Sequence, residues 1–208
     1  MISHVRLVLV SAIAGVVLGV GDLVWMTHVD HPWAELANSS AVWAVAAFVL
    51  AAALRLGVVQ GAVAGVVMLL VAVEAFYGAA VLIDSASTAT FTSPNTQMWL
   101  FMGLISGAAF GVAGSWAVGS SWLRGVVGWA LAAGVLVGEG ALRLVHLDRF
   151  DLAQQPDLRQ LGWTTIALGL LVLLAAARRP LRLLGAAALT VPVAVLCAAG
   201  FVYAGLGT

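Results

Sequence analysis

Four ionisable side chains interrupt stretches of the sequence that are otherwise apolar, and they are the residues best placed to do chemistry. They are Asp22, Glu74, Glu139 and Arg143. If these stretches cross a membrane, each charge costs roughly 2.5 to 3.5 kcal/mol at mid-bilayer and needs a partner, water or a proton to offset that cost. Ionisable residues in such segments are typical of substrate and ion pathways.

Glu139 and Arg143 have the spacing that places two side chains on one face of a helix. The acid precedes the base by four residues, which is the favourable order, so we expect an ion pair. Asp22 and Glu74 have no basic residue at such a spacing. Either Arg143 is shared among helices, or one of these two acids is uncharged.

The three acids are predicted to lie at one depth. Each follows the arginine before its apolar stretch by 15 to 19 residues, which is about 22 to 29 Å of helix and reaches the outer third of a bilayer. We interpret this layer as the floor of an outward-facing polar cavity, in which the Tyr77 hydroxyl can donate to Glu74. The predicted ligand-binding residues are Asp22, Asn38, Ser39, Glu74, Tyr77, Glu139 and Arg143. The alternative is a buried network that fixes helix register and binds nothing.

Three of the four histidines fall in predicted outer loops, close to carboxylates: His28, His31 and His146. Imidazole and carboxylate groups suit zinc or a similar metal ion. No HExxH or comparable motif accompanies them, so the simpler interpretation is that they cap and hydrate the loops. The single cysteine, Cys197, excludes a disulfide within the chain, and no cofactor is predicted.

The composition is that of a membrane protein. Hydrophobic residues make up 63% of the 208 residues and charged residues 9%, whereas soluble proteins devote roughly a quarter of their residues to charge. The net charge is zero and every basic residue is an arginine. Without a basic cluster there is no footprint for nucleic acid, which we exclude as a partner. Neither a nucleophile elbow nor a phosphate-binding loop is present, so the sequence does not support an enzyme.

About 20 apolar residues cross the hydrocarbon layer as a helix, and seven stretches approach this length. They are residues 7–26, 36–54, 58–80, 98–118, 123–146, 161–177 and 183–204. The apolar residues form continuous runs rather than alternating, which favours helices over a β-barrel. The sequence therefore predicts an all-α polytopic bundle of seven transmembrane helices, forming a single integral-membrane domain over residues 1–208.

Arginines set the predicted orientation, because basic residues near the ends of spans are retained in the cytoplasm. Six of the nine fall at alternate ends of the spans: Arg6, Arg55, Arg124, Arg178, Arg179 and Arg182. This pattern predicts a cytoplasmic N-terminus and an extracytoplasmic C-terminus. Within the spans, Gly103, Gly107 and Gly111 form a stripe of small residues that permits close helix packing. We expect the fourth span to be the central helix.

Three short motifs are shared with a known family. They are residues 36–43 (LANSSAVW) with Phe48 behind them, residues 110–116 (FGVAGSW), and Glu139 followed by Gly140. Together they resemble a domain-of-unknown-function family of small multi-pass membrane proteins from high-GC actinobacteria, over roughly the first 145 residues. The resemblance implies an actinobacterial source and a plasma-membrane location. The family has no assigned activity, so it implies no site residue.

Two functions from different classes remain open. The first is a membrane protein whose outer polar layer binds or transports a small solute or cation. The second is a structural or accessory subunit that uses the same layer to dock a membrane partner subunit and has no transport or catalytic activity. In both cases the helices are embedded in the lipid bilayer, which is therefore a predicted partner. An intramembrane enzyme with Glu74 or Glu139 as base has less support, because no nucleophile or metal motif accompanies these acids.

Overall fold

The computed structural model describes residues 3–83, 85–176 and 180–203, and throughout these ranges the regular structure is helical. Eight α-helices follow one another: α1 (His4–His28), α2 (Ala34–Ala37), α3 (Ser40–Ala53), α4 (Val58–Ile83), α5 (Pro94–Val118), α6 (Trp122–Val145), α7 (Gln155–Ala175) and α8 (Pro180–Tyr203). Short 3-10 helices occupy Thr88–Thr92 and Leu147–Arg149. The predicted all-α bundle is confirmed.

Six of these helices are long and apolar enough to cross a membrane: α1, α4, α5, α6, α7 and α8. The predicted second span is shorter than expected, because its helix α3 begins at Ser40 and has 14 residues, which is about 21 Å. Asn38 and Ser39 stay outside the helix, and the Ser39 side chain caps it instead. The count of seven spans and the orientation remain predictions. Arg178, Arg179 and the predicted span ends at residues 177 and 204 lie outside the described residues.

Serine starts four of the helices. The hydroxyls of Ser3, Ser39, Ser93 and Ser121 each accept a hydrogen bond from the backbone N–H three residues further on. A serine at this position satisfies one of the N–H groups that the first turn leaves without a partner. Pro94 follows Ser93 at the first helical position, where its missing N–H does no harm. These local signals fix where the helices begin.

Helix α6 is the central helix of the bundle. Two thirds of its apolar window is buried (67%), against 39% for α5, and it packs on α5, α7 and α8. The expectation that the fourth predicted span, α5, would be central is therefore wrong. The glycines of α6 explain the difference: a Cβ at Gly134 or Gly138 would crowd α8, and one at Gly140 would crowd α7. Small residues on several faces allow α6 to pack closely on all its neighbours.

Glycines also bring α4 and α5 into backbone contact. A Cβ at Gly107 would overlap the carbonyl of Gly65, and one at Gly111 would overlap the carbonyl of Gly61. The predicted close packing is confirmed for these two steps of the stripe. Gly103 differs, because an added Cβ would lie 3.5 Å from the Leu69 side chain, an ordinary contact. It borders the cavity described below.

Arg182 is buried, with 5% of its surface exposed. Its guanidinium donates to the carbonyl oxygens of Ala117 (3.3 Å), Gly119 (3.0 Å) and Ser120 (3.0 Å). These carbonyls end α5, and a cation there satisfies acceptors that have no partner within the helix. The arginine that served in the sequence as an orientation signal therefore also ties α8 to the turn between α5 and α6.

We predict that Gly111→Ala destabilises the bundle, whereas Gly21→Ala does not. The added methyl at Gly111 overlaps the backbone of α4, and such overpacking costs about 1 to 3 kcal/mol. A Cβ at Gly21 meets nothing within 4 Å, so alanine there gains helix propensity of up to about 1 kcal/mol. Thermal unfolding in detergent, followed by tryptophan fluorescence, measures both variants. Equal melting temperatures for the two variants would contradict the α4–α5 packing.

Candidate functional site

The carboxylate of Glu139 caps the start of α3. Its Oε2 accepts a hydrogen bond from the backbone N–H of Ala41 at 2.8 Å and one from the Ser40 hydroxyl at 3.3 Å. The next N–H, of Val42, is bound by Ser39 at 3.2 Å. A negative group at a helix N-terminus is also favoured by the helix dipole. The acid near the C-terminal end of α6 therefore has a structural partner on another helix.

Arg143 balances the charge of Glu139. Its Nη2 lies 2.7 Å from Glu139 Oε1, one turn away on α6, so the predicted ion pair is confirmed. Its Nη1 donates to Thr165 Oγ1 on α7 at 3.2 Å. The two charges and their hydrogen bonds join α3, α6 and α7.

Asp22 forms a separate contact. Its Oδ2 accepts a hydrogen bond from the indole N–H of Trp43 at 3.0 Å, and the same N–H is 3.1 Å from the carbonyl oxygen of Ala37. Asp22 is 4% exposed, and its buried Oδ1 has no hydrogen-bond partner. Arg143 is committed to Glu139 and Thr165, so the sharing of Arg143 considered from the sequence does not extend to Asp22.

A cavity of about 450 Å³ lies beside Asp22, in the range of small-molecule sites. It is bordered by the C-terminal parts of α1, α4 and α8, the N-terminal part of α3, the length of α5 from Trp99 to Phe110, and Val135 of α6. Its aromatic residues are Trp43, Phe76, Tyr77, Trp99, Phe110, Phe201 and Tyr203, and its other polar side chains are Asp22, Asn38, Ser40 and Ser106. The expected polar floor is therefore a largely apolar and aromatic cavity with a few polar groups.

One side of the cavity is open between α5 and α8. Ile105 and Ala109 of α5 and Gly200 and Tyr203 of α8 border the cavity and are exposed. Helix α8 packs mainly on α6, and α5 packs on α3, α4 and α6. Both helices are long and apolar enough to cross a membrane.

The structure divides the predicted ligand-binding residues into groups. Asp22, Asn38 and Tyr77 border the cavity. Ser39 is a helix cap, and Glu139 and Arg143 form the ion pair behind Ser40. Glu74 is exposed on α4 and does not border the cavity. The Tyr77 hydroxyl accepts a hydrogen bond from Asn95 at 2.9 Å, and its expected donation to Glu74 stays a prediction. Ligand binding by any of these residues remains a prediction.

The histidines are not gathered into a metal site. Among the described residues, no group of three His, Cys, Asp or Glu side chains could hold a metal ion. His28 Nδ1 lies 2.8 Å from Thr27 Oγ1 and 3.0 Å from the carbonyl oxygen of Val24. His146 ends α6, and His31 is exposed in the loop before α2. The geometry of His28 fits the simpler interpretation of a residue that caps a helix end.

The sequence placed Ser40 in the polar layer but not among the predicted ligand-binding residues, and it gave Trp43 no role in the site. The signal for Ser40 was present, because two serines before an apolar run are typical of a helix start. A buried indole also needs an acceptor for its N–H, but its partner is 21 residues away. Only the packing of α1 on the rest of the bundle brings the two together.

These features define the class: an α-helical multi-pass membrane protein with a cavity among its helices. The chain belongs to the family of unknown function DUF6518, whose model matches residues 2–207. No curated protein and no solved structure matches the chain. The resemblance to an uncharacterised family is thereby confirmed.

We predict that Glu139→Ala destabilises the protein by about 3 kcal/mol or more, because Arg143 loses its partner and the Ala41 N–H loses its acceptor. Ser40→Ala removes only the longer hydrogen bond, at 3.3 Å, and should cost about 1 kcal/mol. Thermal or chemical unfolding in detergent measures both changes.

The matched control for Glu139 is Glu74→Ala, which removes an exposed acid from α4. We expect it to change stability by no more than about 0.5 kcal/mol. A loss at Glu74 as large as that at Glu139 would show that the cap of α3 is not what makes Glu139 important.

Proposed function

We propose that this protein binds a small amphipathic molecule in the cavity between α5 and α8. The observation that carries the proposal is the cavity itself, with its volume of about 450 Å³, its aromatic lining and its few polar groups. Small-molecule sites combine a mainly apolar wall with a small number of polar groups that fix orientation. An amphipathic molecule matches both parts of this lining.

The open side favours entry from the bilayer. The exposed Ile105 and Ala109 on α5 and Gly200 on α8 border the gap. A molecule dissolved in lipid reaches this gap without crossing a layer of ordered loop. Asp22 and Asn38, which also border the cavity, bind the polar part of the molecule once it has entered.

The arginine pattern supports a location in the plasma membrane in which the end of the bundle that contains the cavity lies on the extracytoplasmic side. The cavity is bordered by the C-terminal parts of α1, α4 and α8, which the predicted orientation places on the extracytoplasmic side. In this arrangement the bound molecule comes from the outer leaflet or the space beyond it, and binding is the first step of an uptake or export function.

Photolabelling in lipid nanodiscs tests the proposal, with a neutral octanol that carries a diazirine as the probe. We expect adducts, mapped by mass spectrometry, to concentrate on cavity residues such as Trp99, Met102 and Phe110. In Gly200→Trp the indole fills the open side, and labelling of these residues should fall about tenfold, which corresponds to about 1.4 kcal/mol. A Cβ at Gly200 meets nothing within 4 Å, so there is open space where the new side chain begins.

Gly21→Trp is the matched control, because Gly21 also has open space around it and does not border the cavity. Its labelling should equal that of the unmodified protein. A second blocking variant, Gly103→Phe, fills the cavity from the α5 side. Labelling spread evenly over the lipid-facing helices and unaffected by either blocking variant would overturn the proposal and favour a structural subunit.

A further inference from the structure

We propose that the molecule bound in this cavity is an organic cation whose ammonium group lies between Asp22 and the surrounding aromatic rings. This inference rests on the proposed function and names the class of ligand. Its support comes from the buried carboxyl group of Asp22, which has an oxygen without a hydrogen-bond partner, from the kinds of side chain around it, and from the number of oxygen ligands the site can offer.

Among the described residues, Asp22 has no basic partner. It lies in the C-terminal part of α1 and is 4% exposed, its Oδ2 is bound by the Trp43 indole, and its Oδ1 has no hydrogen-bond partner. Among the described residues no arginine pairs with it, since the ion pair of the interior joins Arg143 to Glu139. A buried carboxylate is expensive unless a positive group accompanies it. A cationic ligand supplies the charge that the protein omits.

Aromatic rings form the remaining wall of the site. The Trp43 indole, whose N–H edge contacts Asp22, borders the cavity. Phe76 packs edge-on against it, with 6.4 Å between ring centroids, and Tyr77 packs edge-on against Phe76. Tryptophan and tyrosine faces attract ammonium groups, most strongly when these are alkylated and poorly hydrated. The carboxylate and the rings therefore favour the same kind of ligand.

A bare metal cation fits the site less well. Calcium takes six to eight oxygen ligands and magnesium takes six in near-octahedral geometry, and Asp22 is the one carboxylate among the described residues that border the cavity. The apolar wall gives a hydrated ion nothing to replace its water. An ammonium carried on a hydrocarbon body satisfies both the charge of Asp22 and the apolar wall.

The experiment uses two competitors of the same shape in the photolabelling assay. One is 4-phenylbutyl-trimethylammonium, and the other is its neutral carbon isostere, (5,5-dimethylhexyl)benzene. Partitioning of each into protein-free nanodiscs is measured and used to correct its concentration. We expect the cation to inhibit labelling of the cavity at an at least tenfold lower corrected concentration, about 1.4 kcal/mol.

The ratio of the two inhibitory concentrations in the unmodified protein is sufficient to test the inference. The test therefore does not depend on a variant that folds poorly. Equal inhibition by the two compounds would overturn the cationic ligand and leave the proposed function standing. No specific labelling of the cavity by the probe would overturn the proposed function itself.

Variants of Asp22 and Trp43 then test whether the preference for the cation over its neutral isostere depends on the Asp22 carboxylate. Asp22→Asn keeps an acceptor for Trp43 and removes the charge, so the advantage of the cation should disappear while inhibition by the neutral isostere is unchanged. Asp22→Glu keeps the charge and should retain part of the advantage. Trp43→Phe removes the N–H donor to Asp22 and keeps a ring, and the preference for the cation should persist. A full preference in Asp22→Asn would mean that the carboxyl group serves only the hydrogen bond to Trp43.

Discussion

The arrangement of the bundle depends on a carboxylate that holds the start of a short helix. Inside a bilayer every backbone N–H needs a partner, since there is no water to supply one. The start of α3 is buried inside the bundle, with Ala41 fully buried, so its first turn needs acceptors from elsewhere in the protein. Glu139 supplies one to Ala41, and Arg143 makes that acid acceptable inside the bundle. The ion pair near the C-terminal end of α6 is therefore linked to the fold of residues far away in the sequence.

The cavity follows from this constraint. With its first turn fixed to α6, α3 presents Ser40 and Trp43 toward the space beside Asp22. Glycine-mediated packing then places α8 against α6, and α5 against α4. No comparable packing joins α5 to α8 among the described residues. The gap that results is lined by aromatic side chains and has a buried acid at one side, which is the basis of the proposed site.

Local features of the site were predictable, and long-range ones were not. The Glu139–Arg143 pair depends only on spacing within one helix, and the close approach of α4 and α5 depends on small residues that repeat every turn. The orientation of Glu74 was not accessible, because apolar residues surround it on α4 and the glycines that mark the packed face, Gly61 and Gly65, lie more than two turns before it. The role of Trp43 was hidden for a different reason. It depends on which helix lies beside α3, and this is a property of the assembled bundle.

The most direct test of ligand binding in the cavity is a structure of the protein in nanodiscs that contain 4-phenylbutyl-trimethylammonium, determined by electron cryo-microscopy. We expect elongated density in the cavity, reached through the gap between α5 and α8, with its charged end beside Asp22 and within about 6 Å of the Trp43 ring centroid. A closed gap, with α5 and α8 in contact and the cavity filled by protein side chains, would rule out the proposed binding site.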